Sequence, residues 1–122
     1  MMLSLEELRR GRRCVVFALV VDGRAEVPDF LNDLPRPHFD KMEGLVLRLA
    51  SDGFIANREK FRRLDAGVYE LKLWHPPVRM FCFQHGPDWV CTHADRKPGS
   101  RELKSHIAKV KALRQRYAEE KR

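Results

Sequence analysis

The sequence predicts a single α+β domain, in which one four-stranded, mainly antiparallel sheet carries two helices from the N-terminal half and one C-terminal helix. Three observations predict it: a valine-rich run near the start, three strand-like runs joined by short turns, and apolar residues at helical spacing elsewhere. The predicted order is β-α-α-β-β-β-α. With 122 residues, 43% of them hydrophobic, the chain suits one core, and we assign a basic lead-in to 1–13 and the domain to 14–122.

The lead-in and the first strand differ in composition. Residues 1–13 contain four arginines and include Gly11, a helix breaker, so we expect a short helical segment there. Residues 14–21 are rich in valine and precede the turn pair Asp22-Gly23. Because this run is apolar at consecutive positions, we expect a strand within the sheet.

Two helices are predicted next. Pro28 suits the first turn of a short helix, which Pro35 and Pro37 interrupt. The second helix begins near His38 and stops before Gly53, the glycine expected after a helix C-terminus. Its apolar residues recur at helical spacing and are Phe39, Met42, Leu45, Val46 and Leu49.

Three strands and a final helix complete the prediction. The strand-like runs are 68–74, 78–84 and 89–94, and the short proline-containing links between them predict an antiparallel meander. Ser100 is the predicted cap of the final helix. Its buried stripe consists of Leu103, Ile107, Val110, Leu113 and Tyr117. Its basic face, for which we predict contacts with RNA phosphates or simple solvation, carries Lys104, Lys109, Lys111 and Arg114.

The charge of the chain favours a polyanionic partner. Its 24 Lys and Arg residues exceed the 17 Asp and Glu residues, which gives a formal charge of +7. Charge alone does not distinguish RNA, DNA, an anionic membrane and an acidic protein.

No apolar run approaches the roughly 20 residues that span a bilayer. The chain has three cysteines, an odd number, and no secretion signal is recognised in it. We therefore expect a cytoplasmic protein with free thiols. Without a Gly-rich phosphate loop or a zinc-protease motif, we expect no cofactor and no metal.

A series of short motifs resembles one protein family. The helical segment PDFLNDLP is followed by GVYELKL, by VRMFCF and by a Lys-Pro turn before the final helix. From Cys14 onward the chain is similar to the phage-derived, HigB-type branch of the RelE/ParE toxin superfamily. The resemblance implies a four-stranded sheet, ribosome-dependent cleavage of mRNA without a metal, and neutralisation by a cognate antitoxin that carries a helix-turn-helix domain.

The resemblance also implies site residues. Active sites of this family use basic residues on the middle strands and near the final turn, which correspond here to Lys72, Arg79, and Arg96 or Lys97. Metal-free RNA cleavage needs a group that takes the 2′-hydroxyl proton and cations that stabilise the phosphorane-like transition state. His93, which lies near these residues on the last predicted strand, or His85 is the predicted acid or base.

The same residues have structural alternatives. Side chains alternate along a strand, so Lys72 shares a face with Glu70 and Trp74 and is a candidate phosphate ligand. For Arg79, a salt bridge to Glu70 is the alternative to catalysis. Trp74 and Trp89 suit either base stacking or packing under a helix, and we favour packing.

The histidines and cysteines allow two further interpretations. His75 and His85, like His93, lie at or beside strand ends, where ordinary turn or surface roles are common. The set Cys82, His85, Cys91 and His93 could converge on one zinc ion, but its spacing matches no common finger pattern. We favour free cysteines that pack in the core.

Three functions are therefore compared. The leading hypothesis is an mRNA interferase that acts on the ribosome. The second is a non-catalytic ParE-like inhibitor of DNA gyrase. The third is a decayed module that binds RNA or protein, which is suggested by Glu70, where many relatives have a basic residue, and by Cys82, where a tyrosine is frequent.

Overall fold

Seven strands and three helices form the described part of the chain, residues 1–96 and 102–121 of a computed structural model. The strands are β1 (Leu3–Arg10), β2 (Val15–Val21), β3 (Arg24–Ala25), β4 (Phe61–Asp65), β5 (Val68–Leu73), β6 (Val78–His85) and β7 (Asp88–Asp95). The helices are α1 (Glu26–Asn32), α2 (Arg36–Asp52) and α3 (Leu103–Glu120). The mixed sheet has the order β1-β2-β7-β6-β5-β4, and β3 pairs with β2 outside this path. None of the three helices is long and apolar enough to cross a membrane.

The predicted four-stranded sheet and the order β-α-α-β-β-β-α are wrong, because they omit β1, β3 and β4. The lead-in, predicted as helical, forms β1, which pairs antiparallel with β2 from Leu3 opposite Val21 to Arg10 opposite Val15. Its Glu and Arg residues favour a helix locally, and pairing with the apolar β2 overrides that preference. β4, with the sequence FRRLD, is a short charged edge strand whose apolar alternation is too brief to detect.

Strand β6 separates two hydrophobic cores. Its side chains alternate, so that Met80 and Cys82 face α1 and α2, whereas Phe81 and Phe83 face α3. All four side chains are buried. The uninterrupted apolar run in the sequence therefore reflects a strand that is covered on both faces.

The link between β1 and β2 packs tightly against the end of α2. The backbone N–H groups of Arg13 and Cys14 donate to the carbonyl oxygen of Ala50 at 3.1 and 3.0 Å. A Cβ atom at Gly11 would overlap that same carbonyl group. Only glycine allows this approach, so the hairpin of β1 and β2 is fixed to α2 through backbone contacts.

Two glycine substitutions test this packing. We expect Gly11→Ala to lower the free energy of unfolding by roughly 1–3 kcal/mol, because the added methyl group meets backbone rather than a movable side chain. Gly44→Ala is the matched control, since its Cβ meets nothing within 4 Å on exposed α2. Gly44→Ala should raise the free energy of unfolding by about 1 kcal/mol, because alanine favours a helix more than glycine does. Denaturant unfolding of both variants measures the difference, and equal effects would contradict the observed packing.

Candidate functional site

Charged side chains meet at one end of the sheet face that lies under α3. Lys72 on β5 is paired in register with Arg79 on β6, and Arg79 is paired with Asp95 on β7. Glu70, two residues before Lys72, is paired with Phe81 on the same face. Directly opposed side chains have Cβ atoms about 5 Å apart, so these groups interact across three strands.

The Glu70 cluster consists of Arg62, Glu70, Lys72 and Arg79. The Glu70 side chain is 0% exposed, and its oxygens lie 2.8 Å from Nη2 of Arg62, 3.9 Å from Nζ of Lys72 and 4.0 Å from Nη1 of Arg79. Within the described residues, neither carboxylate oxygen has a hydrogen bond of good geometry, so charge stabilises the group. Arg62 is close enough to neutralise it. Asp95, paired in register with Arg79, and Glu59, which acts on Lys72, bring further negative charge to these cations.

Lys72 is the cation with the most perturbed environment. Its side chain is only 11% exposed. Burial lowers its pKa from the usual value near 10.5; Arg62 and Arg79 lower it further, whereas Glu70 opposes the shift. The charged form of Lys72 is therefore less stabilised than that of a lysine in water.

A chain of hydrogen bonds joins β7 to α3 beside this cluster. Nε2 of His106 lies 3.0 Å from Oδ2 of Asp95, and Nδ1 of His106 lies 2.9 Å from Nε2 of His93. Nδ1 of His93 in turn lies 2.8 Å from Oγ1 of Thr92. With Asp95 ionised and both imidazoles neutral, every donor in the chain points towards Asp95. Both ring nitrogens of His106 have protein partners, so the chain attaches α3 to the sheet.

His93 is held in its neutral form. It is 2% exposed, and its ring is stacked on Phe81 with centroids 4.8 Å apart. Burial above all, together with Lys109 and His106, lowers the pKa of His93 to about 3, although Asp95 raises it. Because His93 is buried, it is better placed to orient His106 than to contact a substrate.

The predicted site residues divide between two sides of the sheet. Lys72, Arg79 and His93 share the face under α3. Arg96 points the other way, since its guanidinium donates to the carbonyl of Asp33 at 3.2 Å and lies 5.8 Å from the centroid of the Phe30 ring of α1. Lys97 lies outside the described residues.

Three of the four predicted RNA-binding residues of α3 contact other elements. Nζ of Lys109 lies 3.4 Å from a carboxylate of α1, and Lys111 forms an ion pair with the last residue of β4. Arg114 donates to a backbone carbonyl in the β4–β5 turn at 2.9 Å. Lys104 is exposed. Exposed ion pairs are weak and exchange with other anions, so these contacts leave the residues able to bind phosphate.

The four zinc-ligand candidates do not converge. Cys82 and Cys91 are paired across β6 and β7 in the core under α1 and α2, whereas His93 faces α3. His85 is exposed at the last position of β6, at the opposite end of the strand from Arg79. All three cysteines are free and buried, as the free-thiol prediction expects.

One other set of side chains has the composition of a metal site. Ligand atoms of Asp95, Glu102 and His106 lie within 4.8 Å of one another and could hold a divalent cation. The hydrogen bond between Asp95 and His106 already accounts for their proximity, and Glu102 is exposed. We therefore assign no metal to these residues.

Two residues of the site were not predicted. Arg62 lies on β4, and several other charged residues lie close to it in the sequence, so nothing local distinguishes it. His106 had a usable signal, since it lies three residues after Leu103 and four before Val110, on the predicted buried stripe. A polar ring on a buried face needs a hydrogen-bond partner, which here is Asp95.

No family model, curated protein or solved structure matches the chain. The resemblance to the RelE/ParE superfamily therefore remains a prediction from the sequence motifs.

Removing the Glu70 charge should destabilise the fold. We expect Glu70→Gln to lower the free energy of unfolding by roughly 3–5 kcal/mol, because three cations then repel one another without a buried counter-charge. Glu6→Gln, an exposed carboxylate on β1, is the control and should change stability by less than about 0.5 kcal/mol. A Glu70→Gln variant as stable as this control would show that Glu70 does not neutralise the cluster.

The buried neutral state of His93 gives stability a defined pH dependence. The folded-state pKa, about 3, lies below the ordinary value of 6.5, so the unfolded chain binds a proton that the folded chain does not. Stability from this group is therefore complete above pH 6.5 and is lost as pH falls towards 3, by at most about 1.4 kcal/mol per pH unit. Urea unfolding between pH 7 and 5 should show a smaller loss in His93→Gln than in wild type. Parallel curves would contradict the assignment.

Proposed function

We propose that this protein is the toxin of a type II toxin–antitoxin system and acts as a metal-independent endoribonuclease on mRNA in the ribosome. One observation carries the proposal: Lys72 and Arg79, paired in register on β5 and β6, place two cations side by side on one face of the sheet. Each side chain is only 11% exposed. A phosphate that contacted both cations there would be bound more strongly than at an exposed surface.

The chemistry is a transfer within the RNA chain. The 2′-oxygen forms a bond to the adjacent phosphorus, and the bond from phosphorus to the 5′-oxygen breaks, which leaves a 2′,3′-cyclic phosphate and a 5′-hydroxyl. Solvent takes the 2′-hydroxyl proton and protonates the leaving oxygen, while Lys72, as an ammonium, contacts the phosphate. Arg79 stabilises the charge that develops on the phosphoryl oxygens. His93 and His106 position α3 beside the reacting phosphate.

The proposed function also defines partners and location. mRNA and the ribosome are the targets, and the basic face of α3 with Lys104 provides phosphate contacts to ribosomal RNA. A cognate antitoxin with a helix-turn-helix domain would neutralise the protein. Such a toxin works in the cytoplasm, where mRNA is translated.

Induced expression in a bacterial host tests the endonuclease. We expect wild type to arrest growth and to produce mRNA breaks, mapped by primer extension, that disappear when ribosomes are absent from a matched extract. Lys72→Met with Arg79→Met should reduce the breaks by at least about 100-fold, because the loss of one group that stabilises transition-state charge already costs about that much. Arg48→Met, an exposed cation on α2, is the control and should behave as wild type.

The other outcomes distinguish the alternatives. Growth arrest without mRNA breaks would contradict the endonuclease hypothesis and support a non-catalytic inhibitor, such as one of DNA gyrase. Soluble, folded protein that leaves growth unchanged would contradict the endonuclease hypothesis and support a decayed binding module. Breaks that persist in the double variant would show that the Glu70 cluster is not the active site.

A further inference from the structure

Arginines are concentrated where β1 ends and the chain turns into β2. Two of them end β1 and two lie in the link, and all four are exposed. We call them the arginine group: Arg9, Arg10, Arg12 and Arg13. Residues 1–13 contain no lysine. The planar guanidinium of arginine presents a fork of N–H donors that matches two phosphate oxygens, whereas lysine presents a point charge. The composition of this surface therefore favours phosphate as its ligand.

The arginine group keeps a positive charge after its acidic neighbours are counted. Arg10 forms an ion pair with Glu7 at 2.8 Å. The other three arginines form no ion pair with any residue that the structure describes. Glu6 on β1 is exposed, and Asp88 accepts a backbone N–H from the start of β2 at 2.8 Å. Even if both acids offset one arginine each, positive charge remains in excess on this surface.

The backbone that carries the arginine group is held in place. The N–H of Gly11 donates to the carbonyl of Cys14 at 3.0 Å, and the N–H groups of Arg13 and Cys14 donate to Ala50. The Cβ atom of Arg13 lies 3.4 Å from the position that a Cβ atom would take at Gly53, after the end of α2. The charges are therefore positioned before a partner arrives, which lowers the entropic cost of binding.

The arginine group and the Glu70 cluster lie at opposite ends of the sheet. The start of β2 pairs with the start of β7, with Val16 opposite Trp89. Arg79 of the cluster pairs instead with Asp95, the last residue of β7. A strand rises about 3.3 Å per residue, so the length of β7 separates the two basic regions by roughly 20 Å. A ligand of the arginine group is therefore bound independently of Lys72 and Arg79.

We propose that the arginine group is a docking surface for the phosphate backbone of duplex RNA. The choice of RNA rests on the proposed function, because an enzyme that acts in the ribosome meets helices of ribosomal RNA. A duplex holds its phosphates in a regular array, which suits charges on a fixed backbone. Single-strand sites use aromatic rings for stacking, and residues 9–14 contain none. Contacts to phosphate carry no sequence information, so the surface binds helices of any sequence.

The salt dependence of binding provides the test, because each phosphate contact releases counterions. The probe is a dye-labelled RNA duplex of about 16 base pairs, and its affinity is measured by fluorescence anisotropy between about 50 and about 200 mM salt. We expect Arg12→Gln with Arg13→Gln to reduce the slope of log affinity against log salt by about 2, roughly one for each lost contact. The reduction should be the same for a second duplex of different sequence.

Two further variants separate phosphate binding from general effects. Arg12→Lys with Arg13→Lys retains the charge and should keep the wild-type slope. Arg36→Gln with Arg58→Gln removes the same charge from exposed positions at the start of α2 and in the α2–β4 link, and it should also bind as wild type does. Circular dichroism of each variant shows whether it is folded.

Each result supports or overturns the docking surface independently of cleavage. An unchanged slope in the glutamine variant, or a lysine variant that binds as weakly as the glutamine variant, would overturn it. Tighter binding to single-stranded RNA or to a DNA duplex, or binding to phosphatidylserine vesicles without binding to the RNA duplex, would also overturn it. Arginine-dependent duplex binding without mRNA breaks in the growth assay would support the docking surface and contradict the endonuclease. Breaks without duplex binding would do the reverse.

Discussion

The buried carboxylate of Glu70 is the constraint on which this end of the molecule depends. A charge that is withdrawn from water needs an opposite charge within a few ångströms, and Arg62 provides it at 2.8 Å. Arg62 lies on β4, so this edge strand supplies a counter-charge for Glu70 as well as extending the sheet. Because β5 is held between β4 and β6, the backbone of three strands determines the distances within the cluster.

Lys72 and Arg79 have a different relation to Glu70. Their distances to its oxygens are 3.9 and 4.0 Å, longer than the 2.8 Å of Arg62. The two cations are largely buried in a region of low dielectric, where an anion that reaches them interacts more strongly than at an exposed surface. The histidine chain, which attaches α3 to β7, preserves this environment by keeping the helix over the sheet. The fold thus holds cations in place before a ligand arrives, which is the condition for electrostatic stabilisation of a transition state.

Part of the fold and of the site could be predicted from the sequence because the relevant signals are local. Alternation along β5 places Lys72 and Glu70 on one face, and proline-containing links mark the ends of β5, β6 and β7. β1 and β4 were not predicted, because their composition is charged and their stability comes from pairing with neighbouring strands of the sheet. The pairing of His93 with His106 depends on where α3 crosses the sheet. That crossing is determined by the packing of the second core, and no local pattern encodes it.

The unfolding free energy of Lys72→Met tests most directly whether the charge of Lys72 serves a ligand rather than the fold. Methionine retains most of the side-chain volume and removes the buried charge. If Arg62 already neutralises Glu70, we expect the variant to be more stable than wild type or to differ from it by no more than about 1 kcal/mol. A loss of roughly 3–5 kcal/mol, as expected when a buried ion pair is broken, would show instead that Lys72 is part of the structural balance and would contradict the central claim.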